Sequence, residues 1–164
     1  YRCLDCFLPD LTCADCCRRR HIRNPFHKIQ EWDGRHFKSI SLGKLELVLQ
    51  LGHLSMFCPN PKDCHQNFRV LHHGIHDIPV QFCGCATAPS KAIQLLRRGL
   101  YPATSDVPKT CATFRYLEHL HVHSLCSKST TYDFHRALRI QTDNTGVTIP
   151  PSRYNALKRM FTQW

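Results

Sequence analysis

The chain has 164 residues, 42% of them hydrophobic, with 22 Lys and Arg against 12 Asp and Glu, for a formal charge of +10 at neutral pH. That length buries one respectable core, or a small metal module plus a modest domain, so size alone does not demand disulfide staples. Eleven cysteines cannot all pair within one chain; clustered among 12 histidines, and with no apolar run of membrane-spanning length, they point to thiolate ligation in an intracellular, reducing setting rather than secretion.

Residues 1–34 read as a compact metal module ending in the turn-like Trp32-Asp33-Gly34. Six potential ligands follow the order Cys3-x2-Cys6-x6-Cys13-x2-Cys16-x4-His21-x5-His27. Two residues between cysteines let both thiolates point into one tetrahedral site, and two histidines can close it, which is how structural zinc is held. Cys17 is a spare ligand or a packed thiol. Arg18, Arg19, Arg20 and Arg23 crowd beside these ligands, and a second basic group comprises Arg97, Arg98, Arg153, Lys158 and Arg159. An excess of this size suits a polyanion, because each neutralised phosphate releases counterions. A solvated face, or compensation of thiolate charge, is the plainer account of the same arginines.

Residues 35–89 read as a small β region. Leu45, Leu47, Leu49 and Leu51 alternate with Glu46, Val48 and Gln50 at the period of a half-buried strand. Phe68 to Leu71 and Ile75 to Phe82 form two more strands around His73-Gly74, and the stretch from Met56 to Gln66 is a loop. Cys83-x-Cys85 closes the last strand, where residues two apart share a face about 6–7 Å apart and can grip one metal, with Gly84 making room for the bend. His53 and Cys58 stand where the first strand gives way to the loop. The expected second site is therefore His53, Cys58, Cys83 and Cys85, with His76, Cys64 and His65 as substitutes. A Cys-x-Cys pair packed without metal is the alternative.

Residues 90–164 read as helical. Ser90 caps a short helix through Arg98, with Gly99 at its C-terminal position and Tyr101-Pro102 ending it. A second helix is expected from about Lys109 to Ser124, enclosing Cys111. Thr130 caps a third, running to Gln141, and a fourth starts near Pro151 with Tyr154, Leu157, Phe161 and Trp164 on one stripe.

Several short motifs stand in order along the chain: Tyr1-Arg2-Cys3-x2-Cys6, His21-x3-Pro25-x-His27-x4-Trp32, Leu51-Gly52-His53, Cys58-Pro59-Asn60-Pro61, Gly74-Ile75-His76 and Phe82-Cys83-Gly84-Cys85. Gln94-Leu95-Leu96, Tyr101-Pro102-Ala103-Thr104, Ser127-Lys128 and Thr142-Asp143-Asn144 continue the series. The set resembles the cysteine-cluster domain associated with fungal KDZ (Kyakuja-Dileera-Zisupton) transposases over nearly the whole chain. The resemblance implies a zinc-binding, DNA-recognising region N-terminal to a transposase catalytic domain of RNase H type, which this stretch does not include. The first ligand run is also similar to the second half of a cross-braced, B-box-like zinc finger. On that analogy Cys3, Cys6, His21 and His27 hold one zinc, while Cys13 and Cys16 hold another with a cysteine pair upstream of Tyr1. Without cross-bracing, Cys3, Cys6, Cys13 and Cys16 make one closed site and leave the histidines over.

The acids do not suggest catalysis. Two-metal phosphoryl transfer needs converging carboxylates with open coordination positions. Asp5, Asp10 and Asp15 lie among zinc ligands, Asp133 in a first helical turn, and Asp143-Asn144 in a turn. The resulting expectation is an α+β chain: a B-box-like zinc module, a small antiparallel sheet with a second Cys/His cluster, then three to four helices. It would be a non-catalytic, nuclear DNA-binding region carrying two Zn²⁺, with Arg18, Arg19, Arg20 and Arg23 on phosphates and no small-molecule substrate. The alternative is a zinc-stabilised protein-interaction module, self-associating through the stripe that ends at Trp164.

Overall fold

The N-terminal three-stranded sheet is built on a hairpin. Ile29–Trp32 (β2) pairs antiparallel with Phe37–Ile40 (β3), and Arg2–Cys3 (β1) adds to the other edge of β2. The turn is made by Asp33, whose carboxylate accepts the Arg35 and His36 N–H groups at 2.9 and 2.8 Å, and by Gly34 at φ +98°. Lys38 Nζ stands 2.7 Å from the same carboxylate, and this contact, with the two backbone donors, holds Asp33 well below the usual carboxylate range. The turn expected at 32–34 is thus the centre of a hairpin, and residue 34 falls inside it. Between β1 and β2 lies the helix Ala14–Arg20 (α1). The computed structural model describes every residue except 9, 54–56, 63, 64 and 148.

The leucine run at 45–51 folds differently from the single strand expected. Leu42–Leu45 is a 3₁₀ turn, Glu46 adopts φ +60°, and only Leu49–Gln50 (β4) is a strand. The buried positions are Leu42, Leu47 and Leu51, a spacing that matches neither a strand nor a helix. Gly43 lies so close to the chain that an added Cβ would stand 2.8 Å from the Pro79 ring, which fixes the turn against the segment that follows.

Arg69–Leu71 (β5) and Ile75–Asp77 (β6) form the hairpin expected around His73-Gly74. The second strand stops early. Pro79 removes a ladder donor, and Val80–Gln81 (β7) turns away to pair parallel with β4. Ser90 caps Lys91–Leu96 (α2), its hydroxyl accepting the Ile93 N–H, and Gly99 at φ +68° ends the turn that follows. Leu100–Pro102 (β8) and Thr110–Thr113 (β9) complete a four-stranded sheet in the order β6-β5-β9-β8.

The helix expected from Lys109 begins only at Phe114. Residues 110–113 are buried on both faces as β9, so they lack the alternation that would mark a strand in sequence. Thr113 then caps Phe114–Ser127 (α3), accepting the Tyr116 N–H. Thr131–Thr142 (α4) carries a full capping box from Thr130 and Asp133, and Tyr154–Gln163 (α5) ends the chain.

The central sheet separates two cores. Val70 and Cys111 point into one with Ile29, Leu47, Leu51 and Phe68, while their neighbours Leu71 and Ala112 point into the other with Leu117, Leu120, Leu138 and Leu157. Cys3 and Cys17 belong to the first core, so the N-terminal segment packs directly on the sheet's near face. The α5 stripe is partly covered: Leu157 is fully buried, as is Met160 beside it, whereas Trp164 stays 44% exposed while lying 5.7 and 5.1 Å, ring to ring, from Tyr101 and Phe114. The chain is α+β as expected, with Cys/His clusters towards its N-terminal half and five α-helices among the described residues. No helix among the described residues is long and apolar enough to cross a membrane.

Candidate metal centres

The ligand atoms of Cys3, Cys6, His21 and His27 all lie within 4.8 Å of one another. Cys3 comes from β1, Cys6 from the following loop, His21 from the end of α1, and His27 from the approach to β2. The closest S···N separations are 3.4 Å for Cys3–His27 and 3.5 Å for both Cys6–His21 and Cys6–His27. Metal bonds of about 2.3 Å to sulfur and 2.0–2.1 Å to nitrogen give a tetrahedron S···N edges of about 3.5 Å. The four donors therefore fit one tetrahedral ion.

The surroundings orient these ligands. His21 Nδ1 is 2.6 Å from the Cys17 carbonyl oxygen, which can only accept, so Nδ1 carries the proton and Nε2 faces the cluster with a free lone pair. Cys17 itself is buried in the first core, with its thiol raised by burial, so of its two expected roles the packed thiol is the one seen. Asp5 accepts the Lys28 N–H and stands 3.1 Å from His73 Nε2, pinning the loop between Cys3 and Cys6 to both neighbouring segments. Burial pushes the His27 pKa down, which favours the neutral ring a metal requires. Burial also raises the Cys3 thiol, a shift that a divalent cation would reverse.

The second cluster is assembled from distant segments. The ligand atoms of His53, Cys58, Cys83 and Cys85 also lie within 4.8 Å of one another. Cys58 Sγ is 3.4 Å from Cys83 Sγ and 3.7 Å from Cys85 Sγ, and His53 Nε2 is 3.6 and 4.0 Å from the Cys85 and Cys83 sulfurs. Tetrahedral S···S edges of about 3.8 Å fall in the same range. Burial works against ionising Cys58, but the Asn60 backbone N–H and the two neighbouring thiols outweigh it and lower its pKa, while hydrogen bonds to Cys83 and Cys58 push Cys85 up to about 11. Three thiols crowd one site, and a bound cation would stabilise their thiolate forms together.

Close backbone approaches hold this cluster together. Gly84 N–H donates to the Asn60 carbonyl at 2.9 Å, and Asn60 Nδ2 donates back to the Gly84 carbonyl at 3.0 Å. A Cβ on Gly52 would stand 2.8 Å from Cys58 Cβ, so the residue before His53 must be glycine for the loop to close. Gln94 reaches from α2 to grip Cys83 on both sides, accepting its N–H at 2.7 Å and donating to its carbonyl at 3.3 Å. Arg98 donates to the His53 carbonyl at 2.7 Å. The motif Gln94-Leu95-Leu96 gave no hint of this grip; a polar residue in an otherwise apolar helical face was the available signal.

Other candidate ligands stand apart. Cys13 and Cys16 are exposed beside the start of α1 and belong to neither cluster. Hydrogen bonding to the Cys16 N–H and thiol lowers the Cys13 pKa, and the same contact raises that of Cys16. The alternative closed set of Cys3, Cys6, Cys13 and Cys16 does not converge. His76 packs against Phe26 and His73 near the first cluster, and His65 against Phe68, so neither substitutes in the second. Cys64 lies outside the described residues. The ten described cysteines are free thiols.

Among the described residues neither cluster contains a carboxylate. Asp133 is occupied by its capping box, and Asp143 accepts from the Thr145 N–H and hydroxyl in a turn. A cleft of about 1140 Å³ opens beside the first cluster, where the His119 and His123 rings pack edge-on around Phe134.

The four arginines are unequal. Arg18 pairs with Asp15 at 3.0 Å and Arg20 with Asp10 at 3.4 Å, whereas Arg19 and Arg23 are exposed and make no ion pair among the described residues.

No curated protein and no solved structure matches the chain. A family model described as the CxC2-like cysteine cluster associated with KDZ transposases matches residues 42–146, a span that contains the whole second cluster and leaves the first outside it. By that match the chain belongs to the CxC2-like cysteine-cluster family associated with KDZ transposases.

Proposed function

We propose that the chain is a non-catalytic, zinc-stabilised DNA-binding region of a KDZ-type transposase or a transposase-derived protein, acting in the nucleus. The observation that carries this reading is the pair of four-donor sets, Cys3, Cys6, His21, His27 and His53, Cys58, Cys83, Cys85. Thiolate and imidazole donors at tetrahedral spacing suit zinc, and four protein ligands leave no open position for an activated water. The metals then fix a fold rather than perform chemistry. The association with transposases and the charge of +10 favour DNA as the partner, with Arg18, Arg19, Arg20 and Arg23 as phosphate contacts. Within that group Arg19 and Arg23 contribute most, because Arg18 and Arg20 are already paired. Cys13 and Cys16 remain candidates for a further metal whose other ligands lie outside the described residues.

Titration of the metal-loaded chain with duplex DNA at a series of salt concentrations tests the reading. Affinity should fall steeply with salt, and replacement of Arg19 and Arg23 by Ala should reduce the slope of log K against log salt by about 2. Salt-insensitive self-association without DNA binding would contradict it and favour the protein-interaction alternative.

A further inference from the structure

The loop between β1 and α1 presents apolar side chains to solvent. Phe7 is 97% exposed, and Leu8 and Leu11 are 67% and 71% exposed. Its base is tied by hydrogen bonds: the Tyr1 backbone nitrogen donates to the Thr12 carbonyl at 2.8 Å, Thr12 N–H donates back to the Tyr1 carbonyl at 2.9 Å, and Leu4 N–H donates to the Lys28 carbonyl at 2.8 Å. Phe7 follows the candidate ligand Cys6 directly, so the metal cluster anchors the side chain's own peptide. Phe7, Leu8 and Leu11 are exposed together on one loop, and a grouped apolar tip of this kind marks an interaction site where a single exposed side chain would not.

The surroundings of this ring define its partner. Residues 1–28 hold six Lys and Arg against three Asp. Arg20 is joined to the loop through Asp10 at 3.4 Å, and Arg19 and Arg23 lie on the same short helix and the turn after it, without carboxylate partners among the described residues. An apolar tip on a loop tied through Asp10 to the arginine-bearing helix suits a nucleic acid in which phosphates border a base step: arginines take phosphates and an aromatic or aliphatic wedge enters the stack. We infer that Phe7, supported by Leu8, is a base-stacking wedge that opens a DNA step while Arg19 and Arg23 hold the flanking phosphates. This inference rests on the DNA-binding reading above and adds the form of DNA engaged, a step that is unstacked or easily kinked. It also separates two contributions to affinity: a salt-dependent one from the arginines and a salt-independent one from Phe7.

The test uses the metal-loaded full chain and duplexes carrying 2-aminopurine, whose fluorescence rises on unstacking. Wild-type protein should raise the fluorescence at some positions of the duplex. Phe7→Ala should abolish the rise and weaken binding by about tenfold with an unchanged salt slope, whereas Phe7→Trp should preserve both. Arg19→Ala with Arg23→Ala should lower the slope instead. Salt-dependent DNA binding with no fluorescence rise, and no effect of Phe7→Ala, would overturn the wedge and leave the DNA reading intact. Absence of DNA binding would overturn both. Phe7-dependent binding to vesicles of phosphatidylcholine and phosphatidylserine, without DNA binding, would assign the tip to a membrane surface and also overturn it.

Discussion

The two metal clusters use the same chemistry but different architectures. Cys3, Cys6, His21 and His27 lie within one stretch of 25 residues, and their orienting groups, the Cys17 carbonyl and Asp5, come from that same stretch. His53, Cys58, Cys83 and Cys85 belong to two segments brought together by the parallel pairing of β4 with β7 and by Gln94 from α2. On the proposed reading the first cluster would be a local module that depends on its metal to fold, and the second a staple joining parts of a sheet that already carries a core.

Metal removal should expose this difference most strongly. Structural zinc contributes on the order of 10 kcal/mol to small modules, and β1, α1 and the β2–β3 hairpin share few buried side chains of their own. Chelation should therefore abolish hydrogen-exchange protection across residues 1–40, while β9, α3 and α4, packed around Leu117, Leu120 and Leu138, keep theirs. Equal loss throughout the chain would erase the distinction.

Gln94→Leu should act on the staple alone. It leaves the Cys83 N–H and carbonyl unpaired in a buried setting, which costs about 1–3 kcal/mol per group, and loss of such an orienting contact typically weakens a metal site about 10–100-fold. Metal competition should show weaker binding at one of two sites. Gly52→Ala should give a similar but smaller effect, about 1–3 kcal/mol of overpacking against Cys58, read as a lower melting temperature.

A last effect appears only in acid. Burial lowers His76 to about 3 and His72 to about 4, from an ordinary 6.5. The fold binds these rings neutral, so the stability they allow is intact above pH 6.5 and falls as pH drops towards 4 and then 3, because the unfolded chain takes up protons first. His72 also accepts or donates at Thr113 Oγ1 over 2.9 Å, next to the α3 cap. His76→Phe should flatten the loss of stability between pH 6.5 and 4, measured by denaturant titration. An unchanged pH profile would assign acid sensitivity to the metal ligands alone.

The sequence made the first cluster legible because its ligands and their spacing are local. Caps were equally readable: Ser90, Thr130 and Gly99 stand where their side chains or lack of one predict. The second ligand set was also named, from the geometry of Cys83-x-Cys85 and the position of His53 and Cys58 before a loop. What could not be read was pairing. β9 is buried on both faces and passed for the start of a helix, and the Leu45–Leu51 alternation hid a 3₁₀ turn set by contact between Gly43 and Pro79. The β2–β3 hairpin was missed because Gln30 and Glu31 carry no apolar alternation and its stability comes from the Asp33 turn. The grip of Gln94 on Cys83 depends on a tertiary contact that no spacing encodes.

Elemental analysis of protein purified under reducing conditions tests the central claim most directly. The account predicts two zinc ions per chain, one in Cys3→Ala, one in Cys83→Ala and none in the double variant. A metal-free wild-type chain, or two ions retained after Cys83→Ala, would contradict it.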